Sequence, residues 1–329
     1  MPRLPDERRR PPPSIMPAAL MALILASCGN ELPGGGAKEP LVEFSGVTMG
    51  TTWRLRAVKT DEKHRLMVQT HLNAREAVFS HWREDSALSK FNSHSSTDWF
   101  PVPAELVRIV SEAREIARIT GDVLDITCAP LVDAWGFGRT REAEPPDENK
   151  LAKAMARCGW RHLSWRLEPP ALKKALPGLQ INVASVAEGF VMDELIMQLN
   201  AAGLRHFLLE VGGEVAGIGL APDGDPWKIG VQSPASREGD VIQTLPLLNQ
   251  CAATSGIYRH FKKGMPSVHH LLDPRTGRPV SQGLASVTVI HESACQADGF
   301  ATALMILGPV EGRRAAARLG LNAVWIETE

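Results

Sequence analysis

The spacing of apolar residues along the chain predicts strands and helices that are interspersed without strict alternation. Residues 42–58 alternate loosely and are rich in β-branched and aromatic residues, which predicts strand with a turn at Met49-Gly50. Apolar residues at helical spacing predict helices over 62–82, 103–119 and 183–200. A turn and a short strand are predicted at 121–130, and further short strands at 206–211, 218–220, 227–232, 241–247, 286–290 and 323–326. This order favours an α+β fold, with mixed, largely antiparallel sheets and packed helices, over a doubly wound fold.

An apolar run near the C-terminus predicts a buried helix that ends at Gly308. Asp298 and Thr302 stand four residues apart in this run, so a helix places both side chains on one face. A carboxylate and a hydroxyl are hard oxygen ligands. Such ligands suit Mg²⁺, which usually takes one or two protein carboxylates together with water and substrate phosphate. On this stretch alone, the alternative is that Asp298 caps the helix and Thr302 packs inside it.

The N-terminus is predicted to be a targeting segment. A basic stretch at 8–10 precedes an apolar stretch at 16–26, which is too short to span a bilayer as a mature helix. Residues 25–28 resemble a bacterial lipobox, so residues 1–27 are predicted to be a lipoprotein signal peptide and Cys28 to be lipidated. The alternative is an ordinary secretory signal with an incidental cysteine.

The segment after Cys28 is predicted to be a tether. Residues 28–40 include three consecutive glycines and so predict flexibility, and the functional domain is predicted at 41–329. The lipid chains on Cys28 would hold that domain at the periplasmic face of a bacterial membrane.

Composition limits the possible functions and the thiol chemistry. The chain has 329 residues and a formal net charge of -1, which argues against a nucleic-acid partner held by bulk electrostatics. Cys128, Cys158, Cys251 and Cys295 show no zinc-site spacing. An oxidising compartment permits disulfides, but buried free thiols are the favoured interpretation.

Several glycine-rich or polar stretches lie at junctions between apolar elements, where function is often found. Gly212-Gly213 suits either close approach of the backbone to a ligand or a plain turn. Residues 182–189 open a helix whose N–H groups could face an anion, and Glu188 there is either functional or a capping or solvated carboxylate. Residues 254–256 either bind a ligand or form a turn.

A pair of adjacent histidines, His269 and His270, precedes a proline turn. Neighbouring side chains of an extended chain point opposite ways, so at most one of the two readily faces a given site. A general-base or phosphate-contacting role is more plausible than zinc binding. The sequence lacks the GxSxG, GxxxxGK[ST] and strand-GxGxxG-helix patterns, which counts against serine hydrolases, P-loop NTPases and Rossmann dehydrogenases.

Taken in order, these stretches resemble the ApbE family of FAD:protein FMN transferases. The resemblance runs from residue 47 to residue 308, and it rests on the order of about nine motifs rather than on any one of them. The matching stretches are 48–51, 80–92, 125–138, 186–193, 211–214, 226–227, 254–258, 269–277 and 297–302.

The resemblance implies a Mg²⁺-dependent enzyme that transfers FMN from FAD to a threonine hydroxyl of an acceptor protein and releases AMP. The implied partners are acceptor flavoprotein subunits of membrane redox complexes. Positions that match metal ligands are Ser185 (through its carbonyl), Asp298 and Thr302. Positions that match FAD contacts are Met49, Trp82, Val123, Leu124, Asp125, Asn182, Glu188 and Leu272.

The catalytic roles are assigned by chemistry as well as by position. An acceptor threonine has to lose its proton, and His270 is the candidate base, with Asp298 as the alternative if the metal does not fully engage it. A metal ion would neutralise the diphosphate and hold it in line for attack. Trp82 offers a ring for stacking in an apolar slot.

Three positions depart from the family pattern. Asn182 stands where an aspartate is usual, and Ala301 where some members carry a second carboxylate. Glu188 replaces the lysine of many members, although the family uses either. Two further functions remain open at this point: an FAD pyrophosphatase that yields FMN and AMP, and a non-enzymatic flavin-binding lipoprotein.

Overall fold

A computed structural model of the protein describes residues 41–139, 144–233, 240–258, 261–262, 265–281 and 283–328. The predicted signal peptide, the tether and Cys28 lie outside the described residues. None of the helices in the described ranges combines the length and the apolar character needed to cross a bilayer.

The helices of the described chain begin and end close to the predicted positions. They are α1 (Glu62–Phe79), α2 (Ala87–Ser93), α3 (Ala104–Ile119), α4 (Ala129–Ala134), α5 (Glu148–Met155), α6 (Ala184–Ala201) and α7 (Ala294–Leu319), with a 3₁₀ turn at Trp160–His162.

The strands are more numerous than predicted. They are β1 (Leu41–Thr48), β2 (Thr51–Val58), β3 (Phe100–Pro101), β4 (Leu163–Arg166), β5 (Ala171–Lys174), β6 (Phe207–Val211), β7 (Glu214–Ile218), β8 (Trp227–Gln232), β9 (Val241–Leu247), β10 (Gln250–Gly256), β11 (Phe261–Lys262), β12 (Met265–His269), β13 (Leu272–Asp273), β14 (Arg278–Pro279), β15 (Leu284–His291) and β16 (Asn322–Glu327).

The main sheet has seven strands in the order β1-β2-β6-β7-β10-β15-β16. Every neighbouring pair in it is antiparallel. Smaller sheets pair β3-β5-β4, β8-β9, β11-β12 and β13-β14. The predicted α+β class with largely antiparallel sheets is therefore confirmed.

The main sheet is covered on both faces. Side chains alternate along a strand, so Leu209 of β6 joins the large core formed with the helices, while its neighbour Leu208 joins a second cluster with Trp227 and Leu247 of the β8–β9 hairpin. A third cluster lies around α4 and α5; we call it the α4–α5 cluster, and its buried members are Leu131, Ala134, Trp135, Leu151, Ala154, Cys158 and Leu272.

Two glycines let α6 and α7 approach each other closely. A Cβ on Gly189 of α6 would lie 2.3 Å from the carbonyl oxygen of Ala294 and 2.8 Å from the Cα of Cys295. A Cβ on Gly299 of α7 would lie 3.1 Å from Cγ1 of Val186. Neither site has room for a larger residue. The close packing therefore brings the N-terminal half of α6 beside the first turns of α7.

The predicted end of the late helix at Gly308 is confirmed. Gly308 has φ 78 and ψ -177, and Pro309 follows it, so α7 consists of two helical segments joined at this point. Its N-cap is Ser293, whose side chain accepts a hydrogen bond from the N–H of Gln296.

Three sequence-based predictions of local structure are wrong. Residues 121–130 form turns and the start of α4 rather than a strand, because Pro130 sits in the first turn of that helix. The strand predicted at 218–220 lies at Glu214–Ile218. Residues 254–256 belong to strand β10 instead of a turn, since they pair with β15.

Candidate functional site

Asp298 and Thr302 lie on one face of α7, as their spacing predicts. Both are buried, with 7% and 8% of their surface exposed. Asp298 Oδ2 accepts a long hydrogen bond, 3.4 Å, from the N–H of Gly189 on α6. Thr302 Oγ1 lies 3.0 Å from the hydroxyl oxygen of Ser255 on β10. The two side chains therefore mark the place where α6, α7 and β10 meet.

The Asp298 carboxyl is in an acidic environment. Burial raises its pKa well above the ordinary value, and the charges of Glu214 and Glu188 raise it further, against the hydrogen bond from Gly189. Glu214 is itself buried at the start of β7. Two carboxylates from two other elements, Glu188 of α6 and Glu214 of β7, thus act on Asp298, and each makes its ionisation less favourable.

Gly212, between β6 and β7, gives these acids room. Its φ is 69, and a Cβ there would lie 2.9 Å from Cγ of Glu188 and 3.2 Å from Oε2 of Glu214. Its N–H donates to the carbonyl of Thr52 at 3.0 Å. A side chain at this position would displace the two glutamates. Gly212-Gly213 is the two-residue turn of the β6–β7 hairpin, since Val211 pairs with Glu214 and both glycines have positive φ, so the turn interpretation describes it.

The N-terminus of α7 is held by Asp193 of α6. Its carboxylate accepts hydrogen bonds from the hydroxyl of Ser293 at 2.7 Å, the N–H of Ala294 at 2.7 Å and the N–H of Cys295 at 3.1 Å. A carboxylate at this end also complements the helix dipole. Asp193 was part of the motif at 186–193, but its capping role required knowledge of how the two helices pack.

Ser185 lies half-buried in the first turn of α6. In an α-helix the carbonyl of residue i accepts a hydrogen bond from the N–H of residue i+4. The Ser185 carbonyl therefore points toward the N–H of Gly189, the same group that lies 3.4 Å from Asp298 Oδ2. Helix geometry thus brings this carbonyl and the Asp298 carboxylate to one neighbourhood.

The oxygen donors here fit a hard divalent cation. Asp298 offers a carboxylate and Thr302 a hydroxyl, and a cation beside them would offset the repulsion from Glu188 and Glu214 that raises the pKa of Asp298. Within the described ranges, no group of three or more histidine, cysteine, aspartate or glutamate side chains is arranged to hold a metal ion. A Mg²⁺ site with one or two protein carboxylates does not require such a group.

Two of the predicted FAD contacts come from exposed or strained positions. Trp82 is 50% exposed and lies against His81, with ring centroids 4.5 Å apart. Burial and the charge of Arg139 lower the pKa of His81 to about 4, so this neighbour is neutral at pH 7. Met49 occupies a left-handed conformation, φ 43, in the β1–β2 turn, and its N–H donates to Glu76 at 3.4 Å.

The predicted contacts at 123–125 differ from one another. The side chains of Val123 and Leu124 are buried in the main core, so only their backbone can face a ligand, and the Leu124 carbonyl accepts a hydrogen bond from Trp160 Nε1 at 2.9 Å. Asp125 accepts hydrogen bonds from the N–H and hydroxyl of Thr127, and burial raises its pKa.

Asn182 connects this loop to α6. Its N–H donates to the carbonyl of Ile126 at 2.7 Å, and its side-chain oxygen accepts from the N–H of Ala184 at 3.0 Å. The amide oxygen therefore satisfies the first N–H of α6, as an aspartate carboxylate at this position could. The predicted contacts at 123–125 thereby lie next to the start of the helix that carries Ser185 and Glu188.

The two histidines are in different environments, as their adjacency predicts. His269 is buried, its Nε2 donates a hydrogen bond to the carbonyl of Val280 at 2.8 Å, and burial lowers its pKa. His270 is half-buried. Leu272 packs in the α4–α5 cluster rather than against α7.

A family model and relatives of known name match most of the chain. A family model described as the ApbE family matches residues 49–325. A protein named FAD:protein FMN transferase from Klebsiella pneumoniae (strain 342) is 34% identical over 322 residues, which span 95% of this chain and 92% of the relative. Another of that name from Salmonella typhimurium is 35% identical over 317 residues, spanning 94% and 90%.

Solved structures show the same fold. The flavin transferase ApbE from Vibrio cholerae matches with a TM-score of 0.79 and 32% identity, over 88% of this chain and 95% of that one. The apo form of flavinyl transferase ApbE from Pseudomonas stutzeri matches with a TM-score of 0.79 and 31% identity, over 88% and 93%. The resemblance inferred from the motifs and the assignment to a family of transferases are confirmed, and this chain belongs to the ApbE family.

Proposed function

We propose that this protein transfers FMN from FAD to a threonine hydroxyl of an acceptor protein and releases AMP, with Mg²⁺ bound at Asp298. The main supporting observation is that Asp298 and Thr302 share a helix face, with Ser255 in contact with Thr302, where Asp298 is buried near the charges of Glu214 and Glu188. A carboxylate whose ionisation is opposed by its neighbours gains most from a divalent cation.

The residues that would hold the metal are Asp298, Thr302 and the carbonyl of Ser185. Bound Mg²⁺ would supply charge neutralisation for the diphosphate of FAD. Ser255 keeps the Thr302 hydroxyl oriented through their 3.0 Å contact, and the Gly189 N–H keeps Asp298 in place. These contacts position the donors before a ligand arrives, which lowers the entropy lost on binding.

The flavin substrate would be bound by Met49, Trp82, Asp125, Asn182, Glu188 and Leu272, with backbone atoms of Val123 and Leu124. Trp82 has an exposed ring face for stacking against a flat ligand. The Asn182 amide carries no charge and already caps α6, so we infer that it contributes orientation rather than charge.

The acceptor hydroxyl needs a base, and we propose His270 for this role, with Asp298 as the alternative. Its neighbour His269 is committed to the Val280 carbonyl and is buried. His270 is half-buried and so can reach a docked acceptor. The proton would leave the threonine hydroxyl for an imidazole nitrogen as its oxygen bonds to phosphorus and the bond to AMP breaks.

We propose that the acceptors are flavoprotein subunits of membrane redox complexes, and that the enzyme reaches them from the periplasmic face of the membrane. Lipidation of Cys28 and the tether at 28–40 would keep it there. The formal net charge of -1 fits a protein or nucleotide partner better than a nucleic acid.

The experiment is incubation of the protein with FAD, Mg²⁺ and a purified acceptor subunit, followed by in-gel flavin fluorescence of the acceptor and chromatography of the nucleotides. We expect a fluorescent acceptor and equimolar AMP. Asp298→Ala should lower the rate at least about 100-fold by removing the anionic ligand, whereas Thr302→Ala should be milder because water can replace the hydroxyl.

Other outcomes would reassign the function. Free FMN and AMP with no labelled acceptor would indicate a pyrophosphatase. Tight FAD binding without turnover, unaffected by Asp298→Ala, would indicate a flavin-binding protein. Near-normal transfer by Asp298→Ala would show that α7 does not carry the metal.

A further inference from the structure

Two cysteines outside the candidate site lie side by side. Cys158 is a buried member of the α4–α5 cluster, and Cys128 packs against the same cluster. The residues next to them in sequence are hydrogen-bonded, because the N–H of Gly159 donates to Oγ1 of Thr127 at 2.5 Å. The two backbone segments are therefore held together directly beside the thiols.

The two thiols are neighbours in the α4–α5 cluster. A hydrogen bond with the Cys158 thiol is the largest cause that raises the pKa of Cys128 well above its ordinary value, ahead of burial and the charge of Asp125. The Cys158 thiol also donates to the carbonyl of Ala154 at 3.3 Å, which fixes its side chain. Both cysteines carry free thiols in the structure.

The pair borders a cavity. Cys128 is half-buried, and Cys158, although only 7% exposed, lines an open cavity of about 570 Å³ together with Asp125, Trp160, Arg161 and Arg275. A volume of this size accommodates a small molecule. A thiol that lies beside a second thiol and lines such a cavity has both a resolving partner and a route for an oxidant.

We propose that Cys128 and Cys158 form a reversible disulfide when the protein meets a small-molecule disulfide such as oxidised glutathione. The Cys158 thiolate attacks one sulfur of the oxidant, breaks its S–S bond and expels one thiolate. The Cys128 thiolate then attacks Cys158 Sγ and expels the second. The two protein thiols lose two protons and two electrons, and the oxidant becomes two thiol molecules.

Neither cysteine is among the residues that we assign to FAD or to the metal, although Asp125 lines the same cavity and Leu272 packs in the same cluster. The thiols are tested without FAD, so the outcome does not depend on the proposed function. Cys251 and Cys295 provide internal controls, since they are only 1% and 3% exposed and do not line this cavity. Burial is the largest cause that raises the pKa of each of these thiols.

The disulfide would change the stability of the protein in a predictable direction. It would close the chain between residues 128 and 158, which includes α4 and α5. Closing a loop of this length restricts the unfolded chain, so the oxidised form should melt about 5 °C above the reduced form. The raised pKa of Cys128 makes its attack the slow step, so closure should accelerate up to about tenfold per pH unit above pH 7.

The experiment equilibrates the reduced full-length protein with oxidised glutathione at several pH values, quenches with acid, alkylates after unfolding and maps the peptides by mass spectrometry. We expect one cross-linked peptide pair that joins Cys128 to Cys158, while Cys251 and Cys295 are alkylated throughout. Addition of dithiothreitol should restore alkylation of both members of the pair and remove the shift in Tm.

Cys128→Ser serves as the matched variant, because it keeps Cys158 and its cavity. It should accumulate glutathione on Cys158 and show no rise in Tm from loop closure. Full alkylation of Cys128 and Cys158 in the wild type at every ratio of oxidant would overturn the proposal, as would a mixed disulfide at Cys158 that never resolves or a cross-link to Cys251 or Cys295.

Discussion

The hydroxyl of Ser255 on β10 lies 3.0 Å from the hydroxyl of Thr302 on α7. This contact joins the central sheet to the helix face that carries Asp298, and it fixes the rotamer of a residue proposed to bind metal. We therefore predict that Ser255→Ala weakens Mg²⁺ affinity about three- to tenfold, because Thr302 loses its partner but keeps its oxygen. A Mg²⁺ titration of flavin transfer measures the change.

The control for this prediction is Thr254→Ala. The Thr254 hydroxyl on β10 lies 2.8 Å from the Thr288 hydroxyl on β15, so its partner is not Thr302. The Thr254→Ala variant should leave the Mg²⁺ requirement unchanged. Equal Mg²⁺ dependence of Ser255→Ala and the wild type would mean that Ser255 does not position the ligand.

Metal-free protein should be stabilised by Asp298→Asn at neutral pH. Burial and the charges of Glu214 and Glu188 raise the pKa of Asp298, so the wild type loses stability as pH rises from the ordinary aspartate pKa of about 3.8 through the folded value. The variant does not titrate and can still accept the Gly189 N–H. In EDTA at pH 7.5 the Tm of the variant should rise about 3 °C for each kcal/mol of unfavourable free energy that the buried Asp298 charge contributes in the wild type.

Two measurements check this interpretation. The difference in Tm between Asp298→Asn and the wild type should shrink as pH falls toward 4. Added Mg²⁺ should raise the Tm of the wild type but not that of the variant. A variant that is less stable than the wild type at every pH would contradict the electrostatic argument.

Glu194 of α6 is paired with three side chains from neighbouring helices. Its carboxylate accepts hydrogen bonds from Arg75 Nε at 2.5 Å and Arg108 at 3.1 Å, and it lies 3.2 Å from His71 Nε2. Glu194→Gln leaves Arg75 with 15% side-chain exposure and without this carboxylate. We predict a loss of about 3 kcal/mol in the free energy of unfolding, measured by urea denaturation.

The pH dependence of that loss has a definite sign. Burial raises the pKa of Glu194, but hydrogen bonds from His71 and Arg75 outweigh burial, and the net pKa is lowered below 4.5. The pairing therefore stabilises the fold above the unfolded pKa and is lost as pH falls through the folded value. The difference in the free energy of unfolding between Glu194→Gln and the wild type should become smaller below about pH 4.5. Glu115 forms an exposed pair with Arg118, so Glu115→Gln should change the free energy of unfolding little at any pH.

Gly189→Ala should disrupt the helix pair. The added Cβ would lie 2.3 Å from the Ala294 carbonyl oxygen, which belongs to the backbone and cannot move alone. We predict a loss of about 3 kcal/mol and impaired Mg²⁺ binding, because Asp298 shifts with α7. Gly178→Ala is the control, since its Cβ meets only side-chain carbons of Arg157. Equal stability of the two variants would refute the packing argument.

Local signals in the sequence predicted much of the fold. The apolar run before Gly308-Pro309 predicted the first part of α7 and its interruption, because glycine and proline act through their own backbone geometry. Strand β10 was missed. Its core residues are small, and they are held in a strand by pairing with β7 and β15, which a local pattern does not contain.

The site was predictable only in part for the same reason. Asp298 and Thr302 share one helix, so their spacing sufficed. Ser255 is 47 residues from Thr302, and Asp193 is 102 residues from the N–H of Cys295 that it binds. Such partnerships depend on how strands and helices pack, and the motifs at 254–258 and 186–193 indicated the residues without their roles.

The bonds from α6 to α7 also limit how the site can open. Asp193 of α6 accepts hydrogen bonds from the first residues of α7. One turn earlier on α6, the N–H of Gly189 donates to Asp298, so hydrogen bonds join the two helices at two points. Widening the crevice between the two helices would break both sets of hydrogen bonds. We therefore expect a ligand to approach from the surrounding loops, with Asp298 held in place by α6.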